Sequence, residues 1–390
     1  MTQGETFHIR IVDRFGEIDA KTWDALANPP GTTDYNPFVS HAFLSALEDS
    51  GSAVAQTGWQ GQHLLLEDGD GRVLAALPCY AKNHSQGEYV FDHGWAEAFH
   101  RAGGEYYPKL QCSVPFTPAA GPRFLTGTAA NADVMIRALL GGLAQLTERL
   151  QASSAHITFM PQDQWQIARD SGLLSRIDQQ FHWLNQGYRD FGGFLETLSS
   201  RKRKNIRKER MAALETGIEI EWLTGSDLTE AVWDRFFEFY MDTGSRKWGR
   251  PYLTRSFFSL VGERMRDRIL LVMARRHGRH IAGAINFLGG DCLYGRHWGC
   301  IEDHPCLHFE VCYYQAIDYA IAHGLARVEA GAQGEHKLAR GYEPVTTYSA
   351  HYIRHPALRR AVADYLEQER LHVRAEQDYL RDHLPYRQKG

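Results

Sequence analysis

Apolar residues recur along this chain with two periods, and the alternation between them lays out the elements. The clearest stretch runs from Asp291 to Tyr342. Cys292 to Trp298 is aromatic-rich and strand-like. From Phe309 the apolar positions Phe309, Cys312, Tyr313, Ala316, Ile317, Ala320 and Ile321 fall at helical spacing, which places one face on a core. Gly324 follows His323, where a helix C-terminus is expected. Leu325 to Ala330 is a short strand, and Gly331, Gly334, Glu335, His336 and Lys337 crowd the turn beyond it. The pattern predicts a βαβ unit whose polar residues gather past the second strand. Strand ends of this kind present side chains to a cleft.

The first half is read in the same way. Phe7 to Val12 is strand-like, a helix surrounds Trp23 to Leu26, and Asn28-Pro29-Pro30-Gly31 breaks the pattern. Ser40 opens a second helix. His63 to Glu67 and Arg72 to Tyr80 are strands joined by a hairpin turn at Asp68-Gly69-Asp70-Gly71, and Glu88 to Asp92 reads as a third. A Pro-containing aromatic loop follows. Asp133 to Leu150 is a helix, His156 to Met160 a strand, and Ser171 to Gln179 a polar helical stretch.

The second half repeats this order. Leu64-Leu65-Leu66 and Gly71-Arg72-Val73-Leu74-Ala75-Ala76 align without a gap on Leu271-Val272-Met273 and Gly278-Arg279-His280-Ile281-Ala282-Gly283. Gly87 to Phe91 matches Gly290 to Tyr294, Trp23-Asp24 matches Trp233-Asp234, and Phe43-Leu44-Ser45 matches Phe257-Phe258-Ser259. Matches in one order with similar spacing argue for a duplicated domain. Antiparallel strands followed by a βα crossover make a mixed sheet. The expected domains are 1–185, 186–360 and a charged helical tail, 361–390.

Composition narrows the class. The chain has 390 residues, 43% hydrophobic and 23% charged, with a net charge of −4, as in a globular protein with a real core and no global field for nucleic acid. The longest strongly apolar run, Ile269 to Ala274, is too short to span a bilayer. The charged N-terminus lacks the apolar stretch of a signal peptide, so a cytoplasmic location is expected. Six scattered cysteines give no disulfide framework. Cys300, His304, Cys306, His308 and Cys312 crowd together, but their spacing fits no paired zinc motif, and no metal is expected.

The order of elements, with the stretches NPFVSHAFLSALEDSGS, GEYVFDHGWAEAF, YYPKLQCSVPFTPAAGPRFL, FHWLNQGY, SRKRKNIRKER, LYGRHWG, LHFEVCYYQAIDYAI and GAQGEHKLARGYEP, resembles the tandem-GNAT proteins of the FemAB-like group. That group comprises N-acyltransferases associated by name with peptidoglycan biosynthesis or recognition. The resemblance implies a mixed α/β (α+β) fold of two tandem GNAT-like domains, each a mainly antiparallel sheet flanked by helices. It also implies transfer of an acyl group to an amine, with acyl-CoA as co-substrate or, as in Fem-type enzymes, aminoacyl-tRNA as donor. One departure is visible. The glycine-rich loop with which GNAT domains hold the pyrophosphate of CoA is replaced by CIEDHPCLHFEVC, with no glycine after Gly299.

Candidate chemistry lies in three places. Arg201 to Arg210 holds seven basic residues and one acidic, a phosphate-binding patch for CoA or an RNA backbone; Arg201, Arg203 and Arg207, with Trp298, His308 and Lys337, form the expected donor-binding set. N-acyl transfer needs a base for the amine, a group to stabilise the oxyanion and a proton for the leaving group. Glu335 and His336 supply a base, and the resemblance implies Tyr342 as proton donor. Glu310 suits the first turn of its helix, where its charge complements the dipole. In the first half Asp92, Tyr106, Tyr107, Lys109 and Arg123 are the candidate acceptor pocket. No Ser-His-Asp or Cys-His-Asp arrangement calls for a covalent intermediate, so direct attack of the amine on a thioester or aminoacyl ester is expected. The alternatives are a Fem-type transferase acting on a peptidoglycan precursor, and a non-catalytic protein that recognises such a precursor.

Overall fold

The computed structural model describes residues 7–248, 251–331 and 334–387, without the side chains of 245–248 and Glu335. The chain forms two compact units. Unit 1 comprises 7–32, 38–178 and 346–375; unit 2 comprises 33–37, 179–345 and 376–387. Each is a mixed sheet with helices against it, the tandem GNAT-like architecture the resemblance implies.

Unit 1 begins with β1 (His8–Val12), β2 (Gln60–Gly61), β3 (His63–Glu67), β4 (Val73–Leu77), β5 (Tyr80–Lys82), β6 (Lys109–Cys112) and β7 (Ser154–Met160). β8 (Leu174–Leu184) leads into unit 2, with β9 (Glu219–Leu223), β10 (Ile269–Arg276), β11 (Arg279–Leu288), β12 (Cys292–Cys300) and β13 (Arg327–Glu329), and β14 (Glu343–Ile353) returns to unit 1. The small sheet of unit 1 runs β1-β3-β4, and its larger one runs β2-β5-β6-β7-β14. The helix Ala132–Arg149 lies over both through Met135, Ile136, Leu139, Leu140, Leu143 and Leu146, at the helical spacing seen in the sequence. In unit 2 the order is β8-β13-β12-β11-β10-β9. β10, β11 and β12 form the antiparallel meander, and β13 joins β12 in parallel across the predicted crossover helix. Ile269 to Ala274 is fully buried in β10, which explains its unbroken apolar run.

The duplicated hairpins are real: β3 pairs β4 and β10 pairs β11, both antiparallel. Three expectations fail. Arg72 to Tyr80 is not one strand; Pro78 lacks an N–H, and β4 and β5 enter different sheets. Glu88 to Asp92 is irregular backbone, and both of its carboxylates turn inward to Lys109. Ser171 to Gln179 is not helical. The helix is Gln162–Asp170, and β8 buries Ile177, Phe181 and Trp183 with the period of two of a strand. The last helix, Pro356–Asp382, buries Leu358, Val362 and Leu366 against Trp95 and Tyr106 in unit 1.

Candidate active site

In unit 2, β12 and β13 pair only from Cys292 to Tyr294, against Arg327 to Glu329. β12 then continues alone to Cys300, while the chain after β13 enters the turn that carries the predicted site residues. The crossover helix spans 307–322 and is not uniform. A short α turn (Leu307–Phe309) is followed by a π turn (Glu310–Tyr314) and an α segment (Gln315–Ala322). Single π turns inside α-helices often mark functional sites. Here the wide turn brings Glu310, Tyr313 and Tyr314 inward together, all three buried.

Two charge clusters hold this helix. Glu310 is fully buried and receives the Arg210 guanidinium in a bidentate pair at 2.8 and 3.1 Å, with Asp318 also 2.7 Å from Arg210. Glu310, expected near the helix start to complement the dipole, also makes this buried ion pair. Arg340 donates to Glu209 Oε2 at 2.8 Å and to the His336 carbonyl at 2.7 Å, and its guanidinium lies 3.4 Å from the centre of the Phe309 ring. Glu209 also accepts from the Tyr314 hydroxyl.

Two of the catalytic candidates, His336 and Tyr342, pack on Tyr313 beside this frame. His336 Nε2 is 2.9 Å from the Tyr313 hydroxyl. The Tyr313 ring packs 5.7 Å from that of Tyr342. Tyr342 is fully buried and its hydroxyl has no hydrogen-bond partner among the described residues. Burial, then the neighbouring Tyr313 and Cys312, pushes its phenol far above the ordinary range, so it stays protonated. Lys337 is also buried, and its ammonium donates to the Gly331 carbonyl at 2.9 Å. Burial pulls its amine down to about 7; Cys312 opposes the fall and Arg296 adds to it. The side chain of Glu335 lies outside the described residues.

A cleft of about 420 Å³ opens at the start of the same helix, lined by Thr243, Trp298, Cys300, 302–306 and His308, among others. Trp298 and His308 pack ring to ring at 5.3 Å, so these two donor candidates do come together. Arg201, Arg203 and Arg207 lie on the helix Ser200–Leu214, with Arg201 and Arg207 exposed and Arg203 half-buried. The segment before the crossover helix is a poor cradle for pyrophosphate. It brings Glu302 and Asp303 to the cleft, and Cys306 at its end has a φ of 63°. Carboxylates there oppose the attraction of a helix N-terminus for phosphate, and Glu302 is itself 3.1 Å from Arg276 and 2.9 Å from His304. Among the described residues, no group of three or more His, Cys, Asp or Glu side chains is placed to hold a metal.

In unit 1, Asp92, Tyr106 and Lys109 meet in one buried network. Lys109 donates to Glu88 at 2.7 Å and to Asp92, and the Tyr106 hydroxyl donates to Asp92 at 2.8 Å. Tyr107 reaches its edge through Ser85, at 2.9 Å. Arg123 is not part of it. Its guanidinium donates to the carbonyls of Ala119, Gly121, Pro122 and Thr158 and holds the Pro-rich loop. Sequence reasoning missed Lys82, Glu88, His156 and His351 here, and Glu209 and Arg340 in unit 2; it placed Arg210 in the phosphate-binding patch, whereas Arg210 pairs with Glu310 and Asp318. The only sequence signal for the first group was the even spacing of polar residues along Tyr80-Ala81-Lys82 and Ser154-Ala155-His156.

The chain superposes on the crystal structure of FemX with a TM-score of 0.54, at 13% identity, covering 89% of this chain and 98% of that one. It superposes equally, at 0.54, on the C-terminal domain of a putative lysylphosphatidylglycerol synthetase from Agrobacterium fabrum, at 9% identity over 91% and 96% of the two chains. A conserved protein of unknown function from Bacteroides thetaiotaomicron matches at 0.50, with 11% identity over 89% and 100%. At these identities the likeness is one of fold: a tandem, mixed α/β architecture. No curated protein matches the sequence. The family model for FemAB-like proteins, described as peptidoglycan biosynthesis/recognition, matches residues 14–388. The chain belongs to the FemAB-like family. No helix of the described residues is long and apolar enough to cross a membrane.

Proposed function

We propose that this protein is an N-acyltransferase that moves an acyl or aminoacyl group from an activated ester to an amine of a peptidoglycan precursor. The observation that carries the reading is that His336 and Tyr342, from the chain beyond β13, both pack on Tyr313 of the crossover helix, with Lys337 next to His336 in the chain, in a protein of this family. In this reading His336, held by Tyr313, takes the proton of the attacking amine. Lys337 in its charged form stabilises the oxyanion. Tyr342, kept protonated by burial, gives its proton to the leaving group. Attack is direct. The segment before the crossover helix has no glycine after Gly299 to form a pyrophosphate loop, which supports an aminoacyl ester, as in Fem-type enzymes, over acyl-CoA; no step here depends on CoA.

A specific observation favours the alternative of recognition without catalysis: Tyr342 and Lys337 are both almost fully buried. One assay separates the two. Purified protein is given labelled aminoacyl-tRNA or acyl-CoA and a precursor peptide, and transfer is followed beside peptide binding. Transfer lost in His336→Ala and Tyr342→Phe with binding intact supports the enzyme. Binding with neither donor consumed supports recognition.

A further inference from the structure

A sheet ordinarily buries apolar side chains, and residues opposite one another across a ladder share a face. In the larger sheet of unit 1, Tyr80 faces Gln111, Lys82 faces Lys109, Gln111 faces His156, and His156 faces His351. These six residues therefore line one face, with Ser154 and Thr158 beside them. The alternate positions, Ala81, Leu110, Cys112, Ala155, Ile157 and Ala350, pack into the apolar core under the helix Ala132–Arg149. The first face is wholly polar along this row, yet none of the six side chains is more than 2% exposed. Glu88, Asp92 and Tyr106, from the segment between β5 and β6, close over it, and Lys82 lies 3.5 Å from the centre of the Trp59 ring.

Much of this polarity is satisfied internally. Gln111 donates to Thr158 at 3.1 Å, His156 is 2.8 Å from Ser154 and 2.7 Å from His351, and Lys109 joins both carboxylates. The remainder is not. Of the fifteen buried side-chain atoms without a hydrogen bond among the described residues, six belong here: Trp59 Nε1, Tyr80 OH, Glu88 Oε1, Asp92 Oδ1, Gln111 Oε1 and His351 Nε2. Each such atom costs about 1–3 kcal/mol when nothing meets it, and native interiors carry few of them; Glu88 Oε1 has the Lys82 nitrogen 3.9 Å away, within ion-pair range but beyond a hydrogen bond. Three of the six are carboxylate or amide oxygens, which only accept. Lys109 is the one firmly charged cation of the face, its ammonium sustained against burial by Glu88 and Asp92. Burial draws the Lys82 amine down to about 7, so two carboxylates face one full positive charge and a fraction of another.

We infer that this face is a binding site for a small molecule carrying a primary ammonium group and hydroxyl donors, with the ammonium at Glu88 Oε1 and Asp92 Oδ1 and hydroxyls at Gln111 and Tyr80. The inference deepens the proposed acceptor set of unit 1, because an ammonium compound is the resting form of an amine acceptor. Entry requires the segment between β5 and β6 to move aside.

The test uses the full chain with ethanolamine, lysine and glucosamine as probes, and N-acetylglucosamine and glucose as controls, read by thermal unfolding and by calorimetric titration. At least one amine probe is expected to raise the melting temperature and to bind in the millimolar range, with Glu88→Gln binding it about tenfold more weakly. Tyr80→Phe removes one unpartnered hydroxyl and breaks no hydrogen bond among the described residues. It is expected to melt no lower than the parent and to weaken the probe-induced shift. Absence of any amine-specific shift or heat overturns the inference. So does a lower melting temperature of Tyr80→Phe without probe, because that hydroxyl then serves the fold itself, through internal water. Amine binding without acyl transfer keeps this site and sinks the proposed activity; transfer with no amine binding at this face does the reverse.

Discussion

Replacing Lys109 by Met removes the central cation of the buried network in unit 1 while keeping most of its stem. Lys109 is fully buried, 2.7 Å from Glu88 and hydrogen-bonded to Asp92, and those carboxylates are only 7% and 3% exposed. The variant leaves two buried anions with reduced compensation, and breaking a buried pair from one side costs about 3–5 kcal/mol. Two responses soften the loss. Lys82, 3.9 Å from Glu88, no longer faces the Lys109 charge that helps to depress its own pKa, and takes up a proton more readily. Glu88, whose pKa burial raises and Lys109 restrains, moves further up. The expected cost at pH 7.5 is therefore about 3 kcal/mol, the lower end of that range. The sign of the pH dependence follows from Glu88. A carboxyl with a raised folded pKa binds more protons folded than unfolded, so the variant recovers stability as pH falls through that window, by up to about 1.4 kcal/mol per unit. Urea unfolding followed by tryptophan fluorescence at pH 7.5 and 5.5 measures both quantities. A loss under about 1 kcal/mol at pH 7.5 refutes the reasoning, as does a loss that does not shrink at pH 5.5. Lys82→Met/Lys109→Met, with no substitute cation left, should cost more than either single change.

Four further outcomes are expected. His156 is buried against His351, and burial, with Lys109 nearby, lowers its pKa to about 3. The unfolded chain therefore binds the extra proton between pH 6.5 and about 3, and stability falls as pH falls across that window, by about 2.3 kcal/mol between pH 6.5 and 4.5; His156→Asn should flatten that part of the urea-midpoint profile. Arg210→Met strands the fully buried Glu310 and should cost about 3–5 kcal/mol in chemical denaturation, much of it recovered in Arg210→Met/Glu310→Met. Gly299→Ala places a Cβ 2.1 Å from the Phe239 carbonyl and should lower stability by about 1–3 kcal/mol, read as a drop in melting temperature. If Lys337 acts as a cation, the transfer rate should fall above about pH 7, and Lys337→Arg, whose charge does not titrate, should extend the plateau to higher pH.

The local elements of this protein were written in its sequence. The crossover helix, its flanking strands, the two hairpins and the duplication all follow from apolar spacing and turn residues, because such patterns act over a few residues and need no partner to be recognised. The same local reading placed His336, Lys337 and Tyr342 beyond a strand end, where the structure has them. It failed where a distant group decides the outcome. Glu88 and Asp92 read as parts of a strand, and their buried pairing with Lys109 is visible only in the structure; Glu310 reads as a first-turn charge that complements the dipole, and its buried pairing with Arg210 is likewise visible only in the structure. The polar face of the unit 1 sheet is the extreme case. Tyr80, Lys82, Lys109, Gln111, His156 and His351 come from four strands, and only the register of those strands sets them side by side. A sequence shows the charge a residue carries; whether that charge meets water or another buried charge is settled by strand order and register, which only the tertiary structure decides.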